Sequence, residues 1–420
     1  MNTQTPVEGN ANLQIAQIPR VSIQAFCETQ ATAGAINSAA MDRRMSKAHV
    51  KVNMGGGAAA IEAYRDSPTP NLLILEGTGD RETLLGHLEQ LSELCDPSTK
   101  VVIIGPFNDI QLYRELMSLG VSEYLCAPVD VINFVALVAS LFASTAGKPI
   151  GRVIAVLGAK GGVGSSTIAH NLAWSIATSF NMPAVLVDFD IAFGTAGLNF
   201  NQDPSTTIMD VIGLGERLDH ASLDKVMFRC SETLNLIVAP ASLDTACDFA
   251  EDAFDPFLDL LRTAAPNIIL DLPHAWTGWI KSAAMSADEV VVVASPDLPN
   301  LRNSKIILDA LRAARPNDSA PKLILNMVGA PKRPEIEPTE FVSALDTQAT
   351  TIIPYDAKLF GSASNNGQML AETDPASKVN ENIAELARRV MSQAPEPAKP
   401  AKKSLLAPIE SILARMKKAS

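Results

Sequence analysis

The sequence predicts an α/β protein of two domains, each built on a mostly parallel sheet with helices on its faces. Short runs rich in Val, Ile and Leu recur along the chain, separated by segments with helical patterning. The runs are apolar almost throughout rather than alternating, the pattern of strands covered on both faces. The alternation pauses near residue 145 and resumes at 151, and 420 residues suffice for two cores plus tails.

In the first domain, 19–144, the strand candidates are VSIQAFC (21–27), AHVKVNM (48–54), NLLILEG (71–77), KVVIIGP (100–106) and EYLCAPV (123–129). Helical patterns lie near 31–46, 57–66, 81–94 and 111–119. Residues 1–18 read as a disordered N-terminus and 145–150 as a linker. The second domain, 151–393, offers RVIAVLG (152–158), AVLVDFD (184–190), LNLIVAP (234–240), NIILDLP (267–273), EVVVVAS (289–295), KLILNMV (322–328) and TTIIPYD (350–356). Residues 394–403 are rich in Pro, Ala and Lys and read as a flexible linker. In 404–420, Ile409, Ile412, Leu413 and Met416 recur at helical spacing beside Arg415, Lys417 and Lys418, an amphipathic basic helix. Such a helix suits a membrane surface, a protein groove or packing on its own domain.

Composition narrows the function classes. A net charge of −12 argues against a protein that coats nucleic acid. Five cysteines with no CxxC pair point to reduced thiols in a cytoplasm. The polar N-terminus lacks the pattern of a signal peptide, and no apolar run approaches the ~20 residues of a membrane span. The expected location is cytoplasmic, peripheral to a membrane at most.

The chemistry is concentrated after the first strand of the second domain. Gly158-Ala-Lys-Gly-Gly-Val-Gly-Ser-Ser-Thr167 joins strand to helix, and a glycine-rich turn there exposes backbone N–H groups at a helix N-terminus, a cradle for phosphates. Gly161, Gly162, Val163 and Gly164 form the cradle; Ser165, Ser166 and Thr167 follow, with a Ser/Thr hydroxyl placed for Mg²⁺. Two departures from the usual P-loop stand out: Ala159 occupies the place of the first glycine and Ser165 that of the phosphate-binding lysine. A looser alternative is a dinucleotide-binding turn of Gly158, Gly161 and Gly164 with Asp188 at the ribose.

The loop, with Lys160 early in it, resembles the deviant P-loop of the MinD/ParA family. That resemblance implies ATP and Mg²⁺ as cofactors and a nucleotide-dependent homodimer, with Lys160 reaching the partner's phosphates. It places Asp188 and Asp190 at the first switch, Asp271 at the Walker B strand end, and Asn326 and Pro354 in the region that holds the base. Ser166 would bind the metal, Asp271 a metal-bound water, Asp188 the metal shell or the switch, and Asp190 would orient the attacking water. Lys160 and Asp190 are thus the catalytic candidates. Ser165 offers a neutral hydrogen bond where a cation is usual, so any ATPase activity is expected to be weak unless the partner's Lys160 compensates.

The stretches Asp271-Leu-Pro-His-Ala-Trp-Thr-Gly-Trp279, Ser295-Pro-Asp-Leu-Pro-Asn-Leu-Arg-Asn303, Lys332-Arg-Pro-Glu-Ile336 and Phe360-Gly-Ser-Ala-Ser-Asn-Asn-Gly-Gln368 are similar to the CpaE/TadZ branch of that family. This implies a nucleotide-dependent localisation and assembly protein of the Flp/Tad type IV pilus, at the inner membrane of a cell pole, with other pilus-assembly proteins as partners. Trp276 and Trp279 follow the Walker B strand, either as core or as a nucleotide-sensitive partner surface.

The first domain resembles a response-regulator receiver stripped of its chemistry. Glu76 stands at the phospho-acceptor position, Gly105 replaces a Ser/Thr, and Ala127, before Pro128, replaces a Lys. Such a pseudo-receiver would serve docking or dimerisation. Competing functions are a ParA-like DNA-segregation ATPase, disfavoured by the charge, and a non-catalytic polar scaffold. A nitrogenase-like reductase is disfavoured because no cysteines are spaced to bridge a cluster.

Overall fold

The computed structural model describes residue 15 and residues 17–142, 150–242 and 248–391. The expectations for residues 1–14, the linker up to 149, and 394–403 and 404–420 lie outside the described residues. Among the described residues, no helix is long and apolar enough to cross a membrane.

The first sheet is β1 (Ser22–Cys27), β2 (His49–Met54), β3 (Leu72–Glu76), β4 (Lys100–Gly105) and β5 (Glu123–Cys126). All pairs are parallel, in the order β2-β1-β3-β4-β5, the doubly wound arrangement of receiver-like domains. Its faces are covered as the unbroken apolar runs require. Ala33, Ile36 and Ala39 of Gln30–Ala40 pack with Phe134, Val135 and Val138 of Val131–Phe142 on one side. Ala60, Leu84, Leu91, Leu112 and Leu116, from three further helices, pack on the other.

Three expectations are corrected here. The helix expected over 31–46 ends at Ala40; Asp42 then caps a separate turn, Arg43–Met45, by accepting from the Arg44 N–H. The strand expected over 123–129 stops at Cys126, since Pro128 has no N–H to continue a ladder. Ile18, assigned to a disordered segment, is fully buried, its N–H donating to the Arg44 carbonyl.

The receiver positions have been put to structural use. The buried Glu76 carboxylate accepts from the N–H groups of Glu28 (2.7 Å) and Thr29 (2.8 Å) and from the hydroxyls of Thr29 (2.7 Å) and Thr32 (2.6 Å). Burial alone would raise its pKa, but the bonds from Thr32, Thr29 and Glu28 outweigh it and hold the carboxyl below its usual range. Glu76 therefore tethers the start of the first helix to β3. A Cβ on Gly105 would lie 2.6 Å from the Tyr124 hydroxyl, so glycine there makes room for that ring.

The second sheet contains all seven expected strands: β6 (Arg152–Gly158), β7 (Ala184–Asp188), β9 (Leu234–Ile237), β10 (Asn267–Asp271), β11 (Glu289–Ala294), β12 (Lys322–Val328) and β13 (Ala349–Pro354). It adds β8 (Phe228–Arg229), two residues antiparallel to β9 and too short to carry a pattern. The order is β13-β12-β11-β6-β10-β7-β9-β8, and every other pairing is parallel. Strands β7, β9 and β10 end two or three residues before their apolar runs do, because the chain turns there to build the site.

The turn at Arg43–Met45 meets the second sheet's surroundings. Arg43 Nε donates to Asp318 (2.6 Å) and its Nη1 to the Ser286 carbonyl (3.0 Å); Arg44 also pairs with Asp318, and Asn317 donates to Asp42 (3.0 Å). Arg315 closes on the same Asp318 carboxylate at 2.9 Å, and Arg262 pairs with Asp288 at 2.6 Å. Asp318 is thus buried among three guanidinium groups, two from the first domain and one from the second.

Candidate functional site

The site lies at the carboxyl ends of β6, β7, β10, β12 and β13, where doubly wound sheets bind ligands. Residues 158–164 turn from β6 into the helix Ser165–Thr178. Gly162 (φ +78°) and Gly164 (φ +84°) take left-handed conformations that favour glycine. No side chain caps the helix, so its first N–H groups remain open to an anion. Three side chains hold the loop from outside: His274 Nδ1 donates to the Gly158 carbonyl (3.0 Å), Asn303 to that of Ala159 (2.9 Å) and Asn326 to that of Val163 (2.8 Å). Lys160 is exposed and makes no ion pair among the described residues. Ser165, Ser166 and Thr167 are partly exposed in the first helical turn.

The acidic candidates converge. Strands β7 and β10 are neighbours, with Asp188 and Asp271 in register. Asp188 is fully buried; its Oδ1 accepts the Asp190 N–H and its Oδ2 the Ala196 N–H, each at 3.0 Å. Burial, and then the charge of Asp271, push its pKa well above the usual carboxylate range. A Cβ on Gly194 would lie 2.4 Å from Asp188 Oδ2, so glycine permits the 189–196 segment to wrap this close. Asp190 is half-buried, accepts the Phe193 N–H at 3.0 Å, and is raised by burial against that bond. Asp271 Oδ2 lies 3.1 Å from His170 Nε2, while its Oδ1 is buried without a partner.

A cavity of about 300 Å³ opens beside the loop, walled by Gly164 and Thr167 on one side and Asn326, Pro354 and Phe360 on the other. Asn326, expected near the end of its strand, lies inside β12 and joins loop to cavity. Its Oδ1 is buried without a partner. The donor set suits a magnesium nucleotide. Hydroxyl and carboxylate oxygens are the ligands that hard cation takes, one carboxylate oxygen is unclaimed, and the loop's open N–H groups suit phosphate.

Comparison with known proteins agrees with this geometry. A family model described as an AAA domain matches residues 151–314. The septum site-determining protein MinD of Synechocystis is 26% identical over 254 residues, spanning 58% of this chain and 90% of that protein. The solved structure of the septum site-determining protein MinD with Mg-ADP from Pyrococcus horikoshii shares the fold, at 21% identity and TM-score 0.52 over 58% of this chain and 99% of that one. The crystal structure of the pilus assembly protein CpaE from Caulobacter crescentus is 46% identical, covering 30% of this chain and 97% of that chain, with a TM-score of 0.30. The chain belongs to the CpaE family. The identity over nearly all of the Caulobacter chain carries that assignment, and the MinD relatives supply the MinD/ParA character of the second domain.

In this CpaE-family chain the two tryptophans after β10 part company. Trp279 is buried against Phe189, Phe249 and Phe254, with ring centroids 4.8–6.0 Å away, whereas Trp276 is 45% exposed. Sequence reasoning missed His170, Asn199, His274 and Asn303. For His170 a signal existed: it follows Ser166 by four residues, and so lies on the same helix face.

Proposed function

We propose that this chain binds ATP with Mg²⁺, pairs with a second copy of itself when loaded, and acts as a localisation and assembly ATPase of the Flp/Tad type IV pilus. The observation that carries the nucleotide reading is the glycine loop, pinned by three side chains, facing a buried Asp188–Asp271 pair with one carboxylate oxygen unclaimed. The pilus reading is supported by the 46% identity to CpaE, described as a pilus assembly protein.

Bound Mg²⁺ would neutralise charge on the phosphate oxygens. Loop N–H groups and Thr167 hold the phosphates, Ser166 and Asp271 the metal shell, and Asn326 and Pro354 the base. Asp190 orients the attacking water. With Ser165 supplying no charge, Lys160 of the second subunit is the cation that remains, and its exposure in the free chain fits that role. Turnover is accordingly slow.

Equilibrium titration with Mg-ATP, with sedimentation in parallel, tests this. Lys160→Ala should weaken nucleotide-dependent pairing about tenfold or more, a loss of ~1.4 kcal/mol, while binding to the single chain changes far less. Absence of binding at millimolar Mg-ATP would end the nucleotide reading, and equal losses would end the role across the interface.

Peripheral attachment to the inner membrane at a cell pole belongs to the same proposal and rests on the amphipathic pattern of 404–420. Two tails on one dimer would convert marginal binding into stable binding. Co-sedimentation with anionic liposomes should rise with Mg-ATP and fall on Ile412→Glu; sedimentation unchanged by that substitution would remove the tail as anchor.

A further inference from the structure

His170 is fully buried in the helix that follows the glycine loop. Its Nε2 lies 3.1 Å from Asp271 Oδ2, and its Nδ1 lies 2.9 Å from the Asn199 side-chain amide. Asn199 belongs to the short helix Ala196–Asn199, which begins at the residue whose N–H is held by Asp188. The ring thus joins a β10 carboxylate to the far end of the segment that carries Asp190.

The chemistry of the ring decides what it does there. A carboxylate oxygen only accepts, so the 3.1 Å contact requires a proton on Nε2. With the Asn199 Nδ2 donating, Nδ1 is the acceptor; with that amide turned over, Nδ1 would carry a second proton. Either way Nε2–H faces Asp271. The imidazole therefore acts as a donor to a carboxylate and not as a metal ligand, although His170, Asp188 and Asp271 present ligand atoms within 4.8 Å of one another. Its hydrogen bond claims Oδ2 and leaves Oδ1 as the free acceptor. Meanwhile the 189–199 segment is tied at three points: the N–H groups of Asp190 and Ala196 to Asp188, and the Asn199 amide to His170.

Resting on the nucleotide reading above, we propose that His170 is a positioning residue: it orients Asp271 toward the cation and links the state of that cation to the 189–199 segment through Asn199. A cation held by Asp271 and Asp188 then tightens the segment from both ends, bringing Asp190 under the control of the metal. A histidine that served only as filler, packed against Phe200 at 5.7 Å between ring centroids, would not transmit this.

The full chain tests the proposal through the factor by which Mg²⁺ strengthens ATP binding. His170→Ala should cut that factor about tenfold while affinity for ATP without Mg²⁺ shifts less than about twofold. His170→Gln, which keeps a donor and much of the volume, should restore part of it. Asn199→Ala should give a smaller loss, not additive with His170→Ala. Backbone hydrogen exchange of 189–199 supplies a readout that needs no nucleotide: it should quicken in His170→Ala and Asn199→Ala. An unchanged Mg²⁺ factor, equal loss of metal-free affinity, or unchanged exchange would each overturn the proposal. Wild-type chain that binds no Mg-ATP would instead overturn the nucleotide reading, with the exchange data still deciding whether His170 ties the segment.

Discussion

Asp318→Ala is expected to destabilise the protein by about 3–5 kcal/mol, the scale for removing one partner of a buried ion pair. The substitution leaves Arg43, Arg44 and Arg315 converging on an empty centre. Some compensation remains. Arg43 keeps Asp288 at 3.4 Å and the Ser286 carbonyl, Arg44 keeps Asp42, and Arg315 keeps the carbonyls of Ala284 and Asp288. These do not offset three like charges at a nearly dry junction. Because two of the arginines come from the first domain, the loss should also loosen its docking, visible as a larger radius in small-angle scattering. Denaturant unfolding gives the stability; values unchanged from wild type in both measurements would show the cluster to be incidental.

Acid should act on the same cluster. Burial alone would lift Asp318, but Arg43, Arg315 and Arg44 outweigh it and hold its pKa below the usual carboxylate range; Arg262 and Arg43 do the same for the partly buried Asp288. A native pKa held below the unfolded value contributes stability that is complete above the unfolded value of about 4 and is lost as pH falls through the native one. Stability should therefore drop below about pH 4, and Asp318→Ala should flatten that drop.

The second large effect concerns Ser165. Ser165→Lys is expected to raise turnover about 10²-fold, the scale attached to one well-placed stabilising group in a site of this kind. The lysine would bring a charge to the β- and γ-phosphates within the same subunit, where the serine offers a neutral hydroxyl. Turnover should then depend less on Lys160. The comparison is steady-state phosphate release by wild type, Ser165→Lys, and Ser165→Lys combined with Lys160→Ala. If Ser165→Lys is no faster than wild type, the missing lysine does not limit this site.

How much of this was legible beforehand differs from residue to residue. The runs at 72–76 and 267–271 read as doubly covered strands because their polar residues, Glu76, Asn267 and Asp271, stand only at the ends of the runs, and all ten positions are buried. Glycines at 162 and 164 were legible as a glycine-rich turn between strand and helix, and both take left-handed backbone angles that favour that residue. Other features left no local trace. Patterning could not separate Trp279 from Trp276, since a three-residue offset places both near one helix face; the chain enters its helix only at Gly278. Ile18 escaped because the few apolar residues around it, Ile15 and Val21 among them, make too short a stretch to establish a period. Nothing local marks Arg43 and Arg44, whose shared partner Asp318 lies 275 and 274 residues away.

The sequence by itself determined two doubly covered α/β sheets, a phosphate-type glycine loop, acids at strand ends, and a serine where a cation is usual. Those are properties of backbone conformation and burial, which local residue choice dictates. Tertiary structure alone decided that β10 lies between β6 and β7, which sets Asp271 beside Asp188, that His170 meets Asp271 from a helix 101 residues earlier in the chain, and that Asp318 gathers arginines from both domains. The physical reason is that periodicity reports how deeply a residue is buried, whereas the partner of a buried charge is chosen by strand order and helix placement, which only the folded chain supplies.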